Sequence, residues 1–261
     1  MKRDLGGRIA VFAGPSLPAE ARRRDPRLVW LAPARAGDGL RLCARAPAAA
    51  VLLDGVFDET PSIRHKELLM LLGAGVPVYG AASMGALRAA ELAEFGMIGV
   101  GRIFRAFASG RLTGDDEVAV AHAPAELDWR PLSEPLVNVR ATLLKAVWRK
   151  RLDAGQARAL LEAARSLFYR ERSWSAVLAE GRRRPALSGA DLPRFGHWVD
   201  AEKVDLKLLD AREAVDLALA EGRTPFLAPP MPPATCFTAA LASQLAAFGA
   251  PGPSVVGGRE G

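Results

Sequence analysis

Sulfur and imidazole are scarce in this chain of 261 residues, which has two cysteines, Cys43 and Cys236, and three histidines, His65, His122 and His197. The cysteines lie far apart, with no C-x-x-C pair and no Cys/His spacing of the metal-ligand kind. That pattern excludes a disulfide framework and a zinc site, and fits a reducing cytoplasm. No uninterrupted apolar run approaches the roughly 18–20 residues that cross a bilayer, so no membrane span is expected. Met1-Lys2-Arg3 ahead of Ile9–Gly14 mimics a signal peptide. Its apolar stretch is shorter than the usual core of about 7–15 residues and reads as a first strand. There is no G-x-x-x-x-G-K-[ST] and no other phosphate loop, so no nucleotide, metal or other cofactor is expected on this chain.

What is present is a globular composition, 50% hydrophobic and 25% charged, which excludes disorder. The net charge of +6 is local: Lys145 to Pro185 holds 11 Lys or Arg against 4 acids. No nucleic-acid-binding motif accompanies it, so nucleic acid is not an expected partner. The run Arg182-Arg183-Arg184 reads as a solvated loop, or with its neighbours as a surface for an acidic protein.

Short apolar runs alternate with helical patterns through the first hundred residues. Arg8–Ala13, Leu28–Leu31, Ala48–Leu53 and Val76–Tyr79 read as strands, and Gly37-Asp38-Gly39 as a turn. Thr60-Pro61 is the expected start of a helix reaching Leu72, and a second helix runs from Met84 to Glu94 with Gly96 ending it. Near-continuous apolar strands separated by helices predict an α/β fold: a parallel sheet of about four or more strands with flanking helices. Beyond about residue 125 the periodicity is helical: Leu136–Arg151, Gln156–Tyr169, Trp174–Glu180 and Leu206–Leu219. The expected organisation is an α/β core over 1–145, a basic α-helical region over 146–222 and a Pro/Gly-rich tail over 223–261 with one short helix around Thr238–Phe248.

Ligands of parallel α/β sheets bind where strands stop, which singles out Gly14-Pro15-Ser16, Asp54-Gly55 and Ala81–Gly85. The last resembles a G-x-S-x-G nucleophile elbow with Ala81 in place of the first Gly, Ser83 as nucleophile and Met84 N–H as oxyanion donor. Alternatively Ser83 caps its helix, and the small residues serve close packing. A nucleophilic serine needs a base. His65, near the start of the helix after Asp54, is the first choice, and a surface histidine is the other reading. Glu67 is two residues on. Asp54 is a candidate to orient His65 or bind substrate, or an Asx-turn residue. His122 follows Asp115-Asp116-Glu117, a cluster that could orient an imidazole or form a solvated turn. Arg88 is a candidate anion contact, and Asn138 and Arg140 stand out as polar residues on an apolar helix. Cys43 and Cys236 read as small hydrophobes.

Several strings resemble the TfuA-like protein family: Phe12–Leu17, Leu53–Phe57, His65–Glu67, Gly80–Leu92, Phe95–Gly101, Asp115–Val118 and Ser133–Arg140. They span residues 9–145, and the long string around Ser83 is the most specific. The resemblance implies action beside YcaO enzymes, which use ATP to activate a backbone amide so that sulfur replaces its oxygen, giving a peptide or protein thioamide. ATP is then expected on the YcaO partner. It further implies release of sulfide from a thiocarboxylated sulfur-carrier protein, a hydrolase reaction at an acyl–sulfur bond, with a precursor peptide as a further partner. Catalytic roles come from position alone: Ser83, His65 and Asp54 as catalytic residues, with Gly14, Pro15, Ser16, Gly55, Met84, Gly85 and Arg88 as a cleft whose small residues admit a thin Gly-Gly-type tail. The alternative is a non-catalytic adaptor that docks YcaO, the precursor or the carrier through its basic helices. A general esterase is a weaker reading, because the first elbow Gly and a late histidine after an acid are missing.

Overall fold

The computed structural model describes residues 5–56 and 61–221. Four apolar runs form strands β1 (Ile9–Phe12), β2 (Leu28–Leu31), β3 (Ala49–Leu52) and β4 (Val78–Gly80), and a two-residue β5 (Ile98–Gly99) completes the sheet. The order is β2-β1-β3-β4-β5, and every pairing is parallel. Strands covered on both faces show no polar alternation, which is why β1 and β3 are apolar throughout. The expected α/β class with a parallel sheet is what the chain adopts.

Helices α1 (Asp38–Cys43), α2 (His65–Gly73), α3 (Met84–Leu92) and α4 (Gly101–Ala108) accompany the sheet. Their apolar faces and the strands form one core that includes Phe12, Leu31, Leu52, Leu68, Leu71, Val78 and Met84. Each large side chain buried there contributes about 1.5–3 kcal/mol against the cost of ordering the chain. After α3, a turn of 3-10 helix ends at Gly96, whose φ of 91° is the left-handed stop that glycine takes without penalty.

Two expected starts are displaced. The helix read from Thr60-Pro61 begins at His65, with Arg64 extended ahead of it; Thr60 lies outside the described residues. The reason is a carboxylate rather than a proline: Glu67 accepts the Arg64 N–H at 3.3 Å, while the Pro61 carbonyl accepts Ala36 N–H at 2.9 Å from the neighbouring loop. Gly37-Asp38-Gly39 opens α1 instead of forming an isolated turn, because Glu67 also accepts the N–H groups of Gly37 (2.7 Å) and Gly39 (3.1 Å).

The chain forms two compact units, one comprising residues up to Arg111 and again from Leu209, the other Leu112–Leu208. The boundary read at residue 145 falls inside α5 (Leu136–Trp148). The second unit continues with α6 (Ala154–Ser166), α7 (Trp174–Gly181) and α8 (Leu192–Glu202), and α9 (Leu206–Glu221) crosses the division. Leu143, Leu160, Val177, Phe195 and Val199 are in its core. Asp153 and Gln156 form a reciprocal capping box on α6, at 2.8 and 3.1 Å. The predicted tail helix, and Cys236, lie outside the described residues.

Close approach of α3 to the sheet depends on Gly85. Its N–H donates to the Leu53 carbonyl at 3.2 Å, and a Cβ there would fall on the Leu52 carbonyl. Gly85→Ala is therefore expected to destabilise the protein by about 2–3 kcal/mol. Gly189→Ala, where a Cβ meets no atom within 4 Å, should stay within about 0.5 kcal/mol. Urea midpoints of the two variants check this.

Candidate functional site

The sheet order places a topological switch between β1 and β3, the point where ligands of such sheets bind. There the structure puts Asp54, 2% exposed, directly after β3. Its Oδ2 accepts Gly14 N–H at 2.8 Å and Ser16 N–H at 3.0 Å, and its Oδ1 accepts the Ser16 hydroxyl at 2.6 Å. The Gly14–Ser16 loop is thus an anion cradle filled by the protein's own carboxylate. Gly14 and Ser16, expected to contact substrate, have these donors engaged. Pro15 has no N–H to offer. Asp54 holds this loop, and no hydrogen bond joins it to His65.

One strand over, β4 ends in a tighter device. Ser83 N–H donates to the Ala81 carbonyl at 2.8 Å across Ala82, whose φ is 65°. This two-residue closure is a strained turn for a residue with a Cβ. The strain sits one residue before the serine, whereas an elbow places it on the nucleophile. Ser83 occupies the N-cap position of α3, but its side chain makes no cap bond. The helix-cap reading therefore does not account for its hydroxyl. Ser83 is 4% exposed, and Met84 N–H makes no hydrogen bond among the described residues. A serine hydroxyl and a helix-terminal N–H are thus adjacent in the chain and uncommitted. Gly55 lies against Met84, whose sulfur stands where a Cβ on Gly55 would be.

His65 opens α2. Its Nε2 lies 2.7 Å from Glu91 Oε2 and 3.2 Å from Arg88 Nη1, and Arg88 Nη1 reaches the same Glu91 oxygen at 2.6 Å. Arg88 Nε also donates to the Ile63 carbonyl at 3.3 Å, holding the segment before α2. With Nε2–H donating to Glu91, Nδ1 is the ring's proton acceptor. His65 is thus oriented by a carboxylate, but that carboxylate is Glu91 rather than Asp54. No hydrogen bond joins His65 to Ser83. Glu91 was not singled out in the sequence; the Arg88-x-x-Glu91 spacing on one helix face was the available signal.

The remaining candidates do structural work. Glu67 is fully buried among three backbone N–H groups, and burial pushes its carboxyl above the ordinary range. Glu117 and Arg140 form a bidentate pair at 2.6 and 2.8 Å within the helical unit. Asp116 stands 3.7 Å from Arg172, a buried arginine that donates to the carbonyls of Ala164 and Leu167. Asn138 accepts the N–H groups of Leu206 and Lys207 at the start of α9 and donates to Asp205 at 3.0 Å. His122 Nδ1 is 2.9 Å from the Ala123 carbonyl. Burial raises the Cys43 thiol to about 11, so it remains protonated at neutral pH. Among the described residues no group of three His, Cys, Asp or Glu could hold a metal ion, and no helix is long and apolar enough to cross a membrane.

Fold and site define an α/β protein with a preformed serine turn at the carboxyl edge of a five-stranded parallel sheet. The model of the TfuA-like protein family matches residues 54–173, and over these residues the chain is similar to that family. The match takes in Asp54, His65, Ser83, Arg88 and Glu91 and leaves out the Gly14–Ser16 loop. No curated protein matches the chain.

Glu67 also generates a pH prediction. Its folded-state pKa lies above the ordinary 4.5, so the folded protein binds the proton more tightly than the unfolded chain. Its contribution is full below pH 4.5 and is lost as pH rises through the raised value. The stability difference between the protein and Glu67→Gln should therefore shrink from pH 4.5 towards pH 8, as followed by urea unfolding across that range. A difference that grows with pH would contradict it.

Proposed function

We propose that this chain supports peptide or protein backbone thioamidation beside a YcaO enzyme by hydrolysing the thiocarboxylate of a sulfur-carrier protein. The observation that carries the reading is the uncommitted Ser83 hydroxyl beside the uncommitted Met84 N–H, in a strained turn at the sheet's carboxyl edge. An acyl transfer needs a nucleophile and an oxyanion donor, and these two groups fit those roles. His65, oriented by Glu91, is the proton carrier; Asp54 is a positioning residue that shapes the cleft through the Gly14–Ser16 loop.

In this reading the carrier's C-terminal thiocarboxyl group enters in its protonated form. Ser83 Oγ bonds to the carbonyl carbon, its proton passes through solvent to His65 Nδ1, and the carbonyl oxygen takes up the negative charge at Met84 N–H. Collapse of that intermediate breaks the C–S bond, and sulfur leaves as hydrosulfide. His65 gives its proton to that hydrosulfide, and the neutral imidazole then takes a proton from an attacking water and returns it to Ser83 Oγ as the acyl-serine C–O bond breaks, releasing the carrier's carboxyl group and regenerating Ser83. ATP chemistry stays on the YcaO partner.

Sulfide release from a purified thiocarboxylated carrier, without YcaO, tests the proposal. Ser83→Ala should lower the rate about a thousandfold and His65→Ala about a hundredfold. Release unchanged in Ser83→Ala overturns the assignment of the nucleophile. An absence of release by the unaltered protein, with YcaO-dependent thioamidation still stimulated, would favour the adaptor reading.

A further inference from the structure

The helical unit contains an open cleft of about 690 Å³, a size typical of ligand sites. Lys150 and Arg151, from the turn between α5 and α6, face Asp191, Arg194, Phe195 and Trp198 of α8 and its cap across it. Phe195 and Trp198 stack with centroids 5.6 Å apart and planes 21° apart. Trp174 meets Phe195 edge-on at 6.4 Å, so this floor is held in place. Among the described residues, the side chains of Lys150, Arg151 and Arg194 form no ion pair. Cations elsewhere on the unit do: Lys145 with Glu202, Lys203 with Glu134, Arg183 with Glu180. The one rim acid, Asp191, accepts the Arg194 backbone N–H at 3.1 Å as a helix cap.

The turn that presents two of these cations is fixed. Arg151 N–H closes on the Ala146 carbonyl at 2.8 Å and Lys150 N–H on Val147 at 3.0 Å, with Lys150 held at a φ of 55°. A left-handed lysine costs about 1–2 kcal/mol, and this one is locked by the end of α5. Three cations round the half-buried Trp198, which rests on a buried Phe195, complement a ligand that carries several carboxylates with an apolar side chain between them.

We infer that this cleft docks an acidic, apolar-interrupted peptide segment of a partner protein. A nucleic acid strand fits less well: Trp198, the ring a base would stack on, already has Phe195 stacked on it and Lys145 Nζ 5.9 Å from its ring centroid. The inference is independent of Ser83 chemistry, and its readout is binding.

The test is fluorescence anisotropy of the full chain with a fluorescein-labelled decapeptide of alternating Glu and Leu, beside its Gln–Leu counterpart and an oligothymidine of equal charge. The Glu–Leu peptide should bind at least tenfold more tightly than the Gln–Leu peptide, and salt should weaken its binding. Arg151→Glu combined with Arg194→Glu should abolish that preference and create one for a Lys–Leu peptide, a gain that a merely misfolded variant cannot show. Equal binding of the Glu and Gln peptides, or a preference that survives the double reversal, overturns the inference. Tighter binding of the oligothymidine, lost in the double reversal, overturns it in favour of a nucleic-acid surface.

Discussion

The carboxyl edge of the sheet is organised by the Asp54 carboxylate. Three donors from the Gly14–Ser16 loop converge on it, its own N–H joins that of Leu53 on the Phe12 carbonyl, and its carbonyl accepts Ala34 N–H from the segment after β2. The ends of three strands are thereby tied to one residue. Leaving one such buried donor unmet costs about 1–3 kcal/mol, so the clamp forms as a whole. It also fills the sheet's natural anion position from within. The uncommitted hydroxyl and N–H of this edge lie one strand along, in the turn after β4.

The same device recurs elsewhere, with a polar side chain of one helix satisfying the first N–H groups of another. Glu67 does this for α1, Asp210 for α4 through Ile103 N–H at 2.7 Å, and Asn138 for α9. Each buries a polar group, and burial raises both Glu67 and Asp210. In return short helices such as α1, too brief to persist alone, are pinned where the sheet needs them.

These remote caps explain what the sequence did and did not disclose. The strands were legible because an apolar run bounded by Gly, Pro or Asp carries its own signal, and Leu28–Leu31 was read to the residue. So was the turn from Ala81 to Ser83, since the end of β4 marks it. α1 was missed because its cap comes from Glu67, about thirty positions away, and β5 because two residues hold no period. The pairing of His65 with Glu91, and of Asp54 with Ser16 rather than His65, depends on which side chains meet across different elements. Residue spacing along the chain does not encode that. The role of Glu117 and Arg140 was hidden for the same reason: a bidentate pair and a catalytic pair look alike until the partners are seen.

The left-handed Ala82 has a consequence for how the edge breathes. Its strained closure persists only while Gly85 remains docked on Leu53, and Leu53 in turn shares the Phe12 carbonyl with Asp54. Relaxing one of these contacts removes support from the next. The serine turn and the carboxylate clamp are thereby linked through Leu53 by one chain of backbone hydrogen bonds, the kind of contiguous unit that opens cooperatively in native-state hydrogen exchange.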